Sequence, residues 1–217
     1  MQGDGAALAD ERIDILGVKI ISAGKYLPDR MVTNEDFTKI VDTSDEWITT
    51  RTGIKTRHVA TDELNWEMGM KAAKQALEAA SVPPEEIDLV IASTCTPDYL
   101  TPSMACLIAN GLGLKNPACI EINCACAGYV SGLDIAAHYL GDGGYRTALV
   151  VSSEMLTKIT DYSDRATCVL FGDGAGATVV RGSGGLYVNV MGSDPTGGCH
   201  LFSRGIPPSN QFREIPF

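Results

Sequence analysis

The sequence predicts an α/β fold in which a mostly parallel sheet is covered by helices. Strand-like apolar segments alternate along the chain with helix-like segments, which is the pattern of βαβαβ units. The inner strand segments are continuous apolar runs, which is typical of strands buried on both faces. The chain has 217 residues, of which 45% are hydrophobic and 20% charged. This composition fits a folded globular domain and argues against a disordered chain.

Hydrophobic runs and capping residues place the individual elements. The predicted strands span residues 18–23, 87–93, 118–123, 148–153, 176–181 and 186–191. Helices are predicted at residues 45–52, 65–80, 103–112 and 127–140. Ser44 and Gly53 suit the two ends of the first of these helices, and Pro102 is a favourable first residue for the third. Asn34 is expected to cap a further short helix.

The chain is expected to divide into three parts. Residues 1–13 read as a mobile tail, residues 14–183 as the α/β domain, and residues 184–217, rich in glycine and proline, as the start of a connection. The tail lacks the basic and apolar regions of a signal peptide. The apolar runs are too short to span a bilayer.

Charge and cysteine content exclude several function classes. With 17 basic and 27 acidic residues, the net charge of −10 argues against a nucleic acid or a membrane surface as partner. Seven cysteines without a Cys-x-x-Cys pair, and only three histidines, predict neither a metal site nor a disulfide framework. Reduced thiols favour a cytoplasmic location.

Cys126 is the strongest candidate for chemistry. It lies where a predicted buried strand turns within a few residues into a helix. The N–H groups at a helix N-terminus favour a thiolate, and small neighbours such as Ala125 and Gly128 allow a substrate carbonyl to approach. From spacing alone, a buried cysteine in a tight turn is the more common explanation. A disulfide between Cys124 and Cys126 would be strained.

Two other motifs also have structural explanations. The glycine-rich segment 171–177 is followed by a strand-like run, whereas a dinucleotide-binding loop requires a helix there. A tight turn before a strand is therefore favoured. Trp47 and Arg51 lie four residues apart on one helical face, where they could stack on an adenine and hold phosphates. An amphipathic helix seated on a core is the more frequent reason for such spacing.

Three ordered blocks together resemble β-ketoacyl-acyl-carrier-protein synthase III. The first runs from Thr43 to His58, the second is Cys126-Ala127-Gly128-Tyr129, and the third joins Asp164-Arg165 to the glycine-rich segment. The resemblance covers residues 16–181 and implies a thiolase-like fold of two similar βα halves, a homodimer, and condensation of an acyl-CoA primer with malonyl-acyl carrier protein. In that family a cysteine first takes the acyl group from CoA as a thioester.

The resemblance assigns a role to six residues. Cys126 is the expected nucleophile, Trp47 and Arg165 sandwich the adenine of CoA, and Arg51 holds its phosphates. Thr43 lines the same entrance, and Thr101 reaches the acyl pocket of the partner subunit. Coenzyme A enters as a thioester substrate, so no cofactor is expected.

The chain departs from the family at the catalytic histidine and asparagine. Those residues come from the second half of the fold, in blocks that this chain does not contain, and neither His58, His138 nor His200 lies in such a motif. The chain is therefore expected to be an N-terminal half that works with the C-terminal half of the same protein. A secondary-metabolism relative on the same scaffold and a non-catalytic CoA-binding or dimerisation half remain alternatives.

Overall fold

The computed structural model describes residues 17–205 and contains one five-stranded sheet and one two-stranded ribbon. The strands are β1 (Gly17–Tyr26), β2 (Met31–Thr33), β3 (Thr56–His58), β4 (Leu89–Ser93), β5 (Ala118–Ile122), β6 (Thr147–Met155) and β7 (Asp173–Ser183). The helices are α1 (Asn34–Phe37), α2 (Asp45–Thr52), α3 (Asn65–Ala80), α4 (Met104–Gly111), α5 (Gly128–Gly141) and α6 (Arg165–Cys168). The tail at residues 1–13 lies outside the described residues.

The five-stranded sheet has the order β1-β7-β6-β4-β5. β4 runs parallel to β5 and to β6, whereas β7 is antiparallel to β6 and to β1. It follows that four of the five strands point the same way and that β7 alone is reversed. The expected mostly parallel sheet is confirmed, with β7 as its exception. β2 and β3 form the separate antiparallel ribbon.

Helices cover both faces of the sheet, as the continuous apolar runs predicted. One face packs against α3 and α4, and the other packs against α5. Alternate residues of the same strand serve the two faces: in β4, Val90 and Ala92 lie in the first cluster, while Leu89 and Ile91 lie in the second. Because both faces of such a strand are buried, its residues form a nearly continuous apolar run and do not alternate with polar ones.

Local capping sets the ends of α2. The Ser44 hydroxyl accepts a hydrogen bond from the Trp47 amide at 3.1 Å. At the other end Gly53 has a φ of +73°, a left-handed conformation that glycine adopts without steric cost. Both predicted caps are confirmed. The predicted bounds of α3 are confirmed as well.

The expected cap of α1 is wrong by one residue. Thr33 is the N-cap: its hydroxyl accepts from the Asp36 amide at 3.3 Å, and the Asp36 carboxylate accepts from the Thr33 amide at 3.0 Å. The reciprocal pair satisfies two backbone donors, which one asparagine side chain could not do. Asn34 is instead buried, and its side chain bonds to other elements.

Two further expectations need correction. Residues 186–191 form no strand; Leu186 and Val190 are 80% and 92% exposed, because no neighbouring strand pairs with this segment within residues 17–205. Pro102 is not the first residue of α4. Ser103 follows it as the N-cap, and its hydroxyl accepts from the Cys106 amide at 3.3 Å.

One edge of the sheet gathers the loops that carry the candidate residues. The carboxyl ends of β4, β5 and β6 lie at this edge, and because β7 is antiparallel, its first residue lies there too. The loops at 94–103, 123–127 and 156–172 therefore emerge side by side. In the described part of the chain, no helix has the length and apolar character needed to cross a membrane.

Candidate active site

Cys126 lies in a 3-10 turn, Ala125–Ala127, that joins the end of β5 to the start of α5. Ala125 has a φ of +45°, which costs a non-glycine residue about 1 kcal/mol. The Asn123 side chain accepts from the Ala125 amide at 3.3 Å and helps to hold this turn. The Cys126 thiol is exposed, so the buried-cysteine alternative is wrong. Backbone strain of this kind is often found at functional sites.

Two glycines seat α5 tightly on the sheet. A Cβ added to Gly128 would lie 1.8 Å from the Ser93 Oγ and 2.9 Å from its Cβ. A Cβ on Gly132 would lie 3.2 Å from Val150 and 3.3 Å from Ile91. At Gly128 only a residue without a side chain allows this close approach, whereas a Cβ at Gly132 would require its neighbours to move by a few tenths of an ångström. The backbone on which Cys126 sits is thereby fixed against β4 and β6.

The other cysteines differ from Cys126 in environment. Burial, reinforced by Glu154, raises the pKa of Cys95 to about 11. Burial, reinforced by the neighbouring Cys106, raises the pKa of Cys119 to about 11, and burial also raises the pKa of Cys168. These three thiols are poor nucleophiles near neutral pH. The exposed cysteines are Cys106, Cys124, Cys126 and Cys199. Exposure therefore limits the candidate nucleophiles to these four cysteines. Among them, Cys126 is distinguished by its position between the end of β5 and the start of α5.

A carboxylate that the sequence analysis missed organises the loop beside this turn. Glu154 accepts hydrogen bonds from the Cys95 amide at 2.8 Å and from the Thr96 hydroxyl at 2.6 Å. The Thr94 hydroxyl donates to it at 3.2 Å and the Cys95 thiol at 3.4 Å. The sequence signal that could have identified Glu154 is a single acidic residue at the end of an otherwise uncharged strand. Glu154 thus anchors the start of the loop at 94–103 to the end of β6.

Asn65 supports the same loop from below. It is fully buried, and its amide donates to the Thr94 hydroxyl at 2.9 Å, the Thr96 carbonyl at 3.0 Å and the Ser153 carbonyl at 3.1 Å. Its carbonyl accepts from the Ser153 hydroxyl at 2.7 Å. Since a buried polar group without a partner is costly, this satisfied network fixes the loop.

Trp47, Arg51 and Arg165 come together, as helical spacing predicted for the first two and as the family resemblance implied for Arg165. The guanidinium carbon of Arg51 lies 4.5 Å from the centre of the Trp47 ring, and that of Arg165 lies 4.8 Å from it. Arg165 also donates to the Asp42 carbonyl at 3.0 Å. We call Trp47 and Arg165 the clamp. A purine between two stacked planes needs about 7 Å, twice a carbon–carbon contact distance, so the clamp is closed here.

The clamp and Cys126 lie at the same edge of the sheet. Arg165 opens α6, which lies between the end of β6 and the start of β7, and Cys126 follows β5. β6 and β5 lie on either side of β4, so these two strands are about 10 Å apart. The arrangement suits a long ligand with a flat aromatic group at one end and a reactive group at the other.

The structure shows no hydrogen bond between the two predicted threonines and the other candidate residues within residues 17–205. Thr43 precedes the cap of α2, and its hydroxyl is buried without a hydrogen-bond partner among the described residues. Thr101 is exposed in the loop before α4. Its expected role in a partner's acyl pocket stays a prediction.

None of the three histidines has a hydrogen bond that leads to Cys126 in the described part of the chain. His58 bonds through Nδ1 to the Pro28 carbonyl at 2.6 Å. His138 lies in the last turn of α5, about 15 Å along the helix from its first residue. His200 follows the 3-10 turn Pro195–Cys199. No histidine is assigned as a catalytic base.

The glycine-rich segment serves the packing of the sheet. A Cβ on Gly172 would lie 2.8 Å from the His58 carbonyl oxygen, so this turn packs directly on β3. The Asp173 carboxylate accepts from the Ala60 amide at 2.8 Å and from the Thr157 hydroxyl at 2.8 Å. β7 already begins at Asp173, so no helix follows and residues 173–177 belong to the strand itself. The preferred interpretation of the whole segment as a tight turn is therefore wrong for all but residues 171 and 172, because the residues from Asp173 onward pair with β6 and β1. Within residues 17–205 no three His, Cys, Asp or Glu side chains are grouped as metal ligands.

Comparison with known proteins identifies the family of this arrangement. Residues 120–195 match the family model of 3-oxoacyl-[acyl-carrier-protein (ACP)] synthase III. The chain is 51% identical over 182 residues to the β-ketoacyl-[acyl-carrier-protein] synthase III of Clostridium acetobutylicum, covering 83% of this chain and 56% of the relative. It is 46% identical over 191 residues to the enzyme of the same name from Geobacillus kaustophilus, covering 86% and 62%.

Solved structures agree with the sequence comparison. The crystal structure of 3-oxoacyl-[acyl-carrier-protein] synthase III from Aquifex aeolicus VF5 aligns with a TM-score of 0.76 at 50% identity, over 77% of this chain and 54% of that one. The priming β-ketosynthase from the R1128 polyketide pathway aligns with a TM-score of 0.80 at 43% identity, over 83% and 55%. The chain thus spans little more than half the length of these relatives. In sequence and in its α/β, thiolase-like fold, it belongs to the β-ketoacyl-[acyl-carrier-protein] synthase III family.

Proposed function

We propose that this chain contributes the acyl-accepting half of a condensing acyltransferase, which joins an acyl-CoA primer to malonyl-acyl carrier protein and so starts fatty acid synthesis. The observation that carries the proposal is the exposed Cys126, set at a strand-to-helix turn on the sheet edge that also bears the clamp. The names of the family's members support the reaction class.

The first step is transfer of the acyl group to Cys126. Its thiolate attacks the thioester carbonyl of acyl-CoA, and the tetrahedral intermediate expels CoA as a thiolate, leaving an acyl-Cys126 thioester. The Cys126 side chain is exposed just before the start of α5, so it is accessible to such a substrate. Small side chains at Ala125 and Ala127 leave the carbonyl room to approach.

The clamp and its neighbours bind the nucleotide end of the substrate. The adenine stacks between the Trp47 indole and the Arg165 guanidinium, once Arg165 has moved away from the ring that it now covers. Arg51, one helical turn from Trp47, supplies a cation for the phosphates, and Thr43 borders the same entrance. Coenzyme A acts here as a substrate carrier, with no separate cofactor.

The second step requires groups from elsewhere. Malonyl-acyl carrier protein loses carbon dioxide, the resulting carbanion attacks the acyl-Cys126 carbonyl, and the cysteine leaves as a thiolate. A histidine and an asparagine from the C-terminal half of the same protein assist decarboxylation and stabilise the enolate oxyanion. The working enzyme is a cytoplasmic homodimer in which Thr101 shapes the partner's acyl pocket. We expect the 217-residue chain alone to accept an acyl group without completing the condensation.

Intact-mass and peptide mass spectrometry test the first step. The purified chain is incubated with acetyl-CoA, and the acylated cysteine is located. We expect one acetyl group on Cys126 and none in a Cys126→Ala variant. Cys124→Ala is the matched control, because Cys124 is also exposed and lies two residues away. Acylation of another cysteine, or its survival in Cys126→Ala, would contradict the proposal.

Priming of polyketide synthesis is a second candidate, favoured by the 43% identity to the R1128 priming β-ketosynthase. Both candidates use the same first step, so the acceptor and primer separate them. Reconstitution with the C-terminal half and with carrier proteins of the two pathways would show which one receives the product. A non-catalytic half-protein is a third alternative, and protection of Cys126 from iodoacetamide by acetyl-CoA would exclude it.

A further inference from the structure

A buried arginine joins the two sides of the clamp without belonging to either. Arg57 lies on β3 and is 4% exposed. Its Nε donates to the Val169 carbonyl at 2.8 Å, its Nη2 donates to the same carbonyl, and its Nη1 donates to the Asn34 Oδ1 at 2.5 Å. Its guanidinium carbon also lies 4.7 Å from the centre of the Phe37 ring.

The partners of Arg57 lead to the two elements that carry the clamp. Val169 is the C-cap of α6, whose first residue is Arg165. Asn34 in turn bonds to α2. Its side-chain amide donates to the Asp45 carboxylate at 2.8 Å and to the Thr49 hydroxyl at 3.2 Å. The same amide donates to the Ile54 carbonyl, just beyond α2, at 2.8 Å. A single guanidinium therefore connects the end of α6 to both ends of α2.

The apolar contacts follow the same route. Phe37, Ile48, Cys168 and Val169 form a small core of their own, with Trp47 packed against it. This core joins α1, α2 and α6, and it is separate from the two clusters on the faces of the main sheet. The placement of the clamp thus depends on a local assembly centred on Arg57, rather than on the central sheet.

Arg57 has no ion pair to account for its burial. Among residues 17–205 no carboxylate lies within ion-pairing distance of it. Burial lowers its pKa from the ordinary arginine value, but arginine stays protonated under all ordinary conditions. A buried charge that is compensated only by neutral acceptors is costly. An apolar side chain of similar size could fill the same space, so the three directed hydrogen bonds are the property that requires arginine.

We propose that Arg57 is a positioning residue for nucleotide recognition: it holds α2 and α6 so that Trp47 and Arg165 face each other across the adenine of a CoA thioester. This inference rests on the proposed function, because it assumes that the clamp binds that nucleotide. Lysine cannot replace Arg57, since an ammonium lacks the planar fork that reaches Val169 and Asn34 together.

A positioning role for Arg57 should affect substrates with and without a nucleotide differently. A thioester that lacks the nucleotide, such as acetyl-N-acetylcysteamine, reaches Cys126 without using the clamp. Loss of Arg57 should therefore weaken the reaction with acetyl-CoA and spare the reaction with the short thioester. A general structural defect would slow both reactions alike.

The experiment uses the full 217-residue chain and follows acylation of Cys126 by intact mass. Arg57→Lys should raise the acetyl-CoA concentration needed for half-maximal rate by about tenfold, a loss typical of one stacking or bidentate contact. The acylation rate with acetyl-N-acetylcysteamine should change by less than about twofold. Arg30→Lys is the matched control, because Arg30 is exposed on the turn before β2 and its side chain makes no hydrogen bond in the described structure. It should match the unmodified chain with both substrates.

A second variant and a second measurement keep the inference testable if Arg57→Lys does not fold. Asn34→Asp retains an acceptor for Arg57 but cannot donate to Asp45, Thr49 or Ile54. It therefore removes the hydrogen bonds that link Arg57, through residue 34, to α2. It should show the same selective loss. Binding of CoA itself, measured by calorimetry, reports on the clamp independently of acylation and should weaken in both variants.

The outcomes separate the inference from the proposed function. If the unmodified chain is acylated by both thioesters and the variants lose both reactions equally, or neither, the positioning role is wrong. If the unmodified chain binds CoA but is not acylated, the proposed function fails, while selective loss of CoA binding in the variants still supports the positioning role. If the unmodified chain neither binds CoA nor is acylated, both are wrong.

Discussion

Replacing Gly128 with alanine tests whether the seat of α5 sets the position of Cys126. The new Cβ would lie 1.8 Å from the Ser93 Oγ and 2.9 Å from the Ser93 Cβ. The hydroxyl can escape by rotating about χ1, but the Cβ cannot. Restoring a normal carbon–carbon contact from 2.9 Å requires the helix and strand to separate by about 0.6 to 1.1 Å.

That displacement has a calculable cost. Overpacking of a well-packed core costs about 1 to 3 kcal/mol. The better helix propensity of alanine offsets less than about 1 kcal/mol, because Gly128 is the first residue of α5 and not an interior one. We expect a net loss of about 1 to 2 kcal/mol, which lowers the Tm of a chain of this size by about 2 to 8 °C. A shift of this size at Cys126 should also slow its acylation by at least about tenfold.

Thermal unfolding and acylation by acetyl-CoA would be measured together. Gly144→Ala is the control, because a Cβ there meets no atom within 4 Å. It should change stability by less than about 0.5 kcal/mol. Removing the obstructing side chain should rescue the variant: the destabilisation of Ser93→Gly/Gly128→Ala should fall short of the sum of the single changes by about 1 kcal/mol. If Gly128→Ala is as stable and as reactive as Gly144→Ala, the close approach does not position Cys126.

The remaining predictions concern single side chains. Hydrogen bonds from Thr61, Asp62 and Tyr26 lower the pKa of Glu63 to about 2, so its contribution to stability is present above pH ~4.3 and is lost as the pH falls towards 2. Urea unfolding should show Glu63→Gln less stable than the unmodified chain at pH 7, with the difference shrinking as the pH is lowered through this range; a constant difference would contradict the assignment. Asn65→Ala should lower the free energy of unfolding by about 2 kcal/mol, because it removes the buried amide that donates to the Thr96 and Ser153 carbonyls, and an unchanged urea midpoint would show that water replaces the amide.

Local signals in the sequence determined the elements and the position of the nucleophile candidate. Ser44 and Gly53 end α2 through their own side-chain and backbone chemistry, and the small residues after Cys126 mark the turn into α5. Such features act over a few residues, so one sequence is enough to find them. The run at 186–191 shows the limit of this approach: its alternation looks like a strand, but without a neighbour in the described structure it forms none.

Contacts between distant segments were decided only by the tertiary structure. The sequence alone does not reveal that β7 runs against its neighbours, that Glu154 anchors the loop after β4, or that Arg57 reaches Val169 from β3. Each of these depends on which elements meet after the chain has folded, because hydrogen bonds of a buried polar group are fixed by the partners that packing brings within 3 Å or so. The family resemblance implied that Trp47 and Arg165 lie close together. The fold decided that the two side chains stack directly on each other, and that the buried Arg57 bonds to Val169 at the end of α6 and to Asn34.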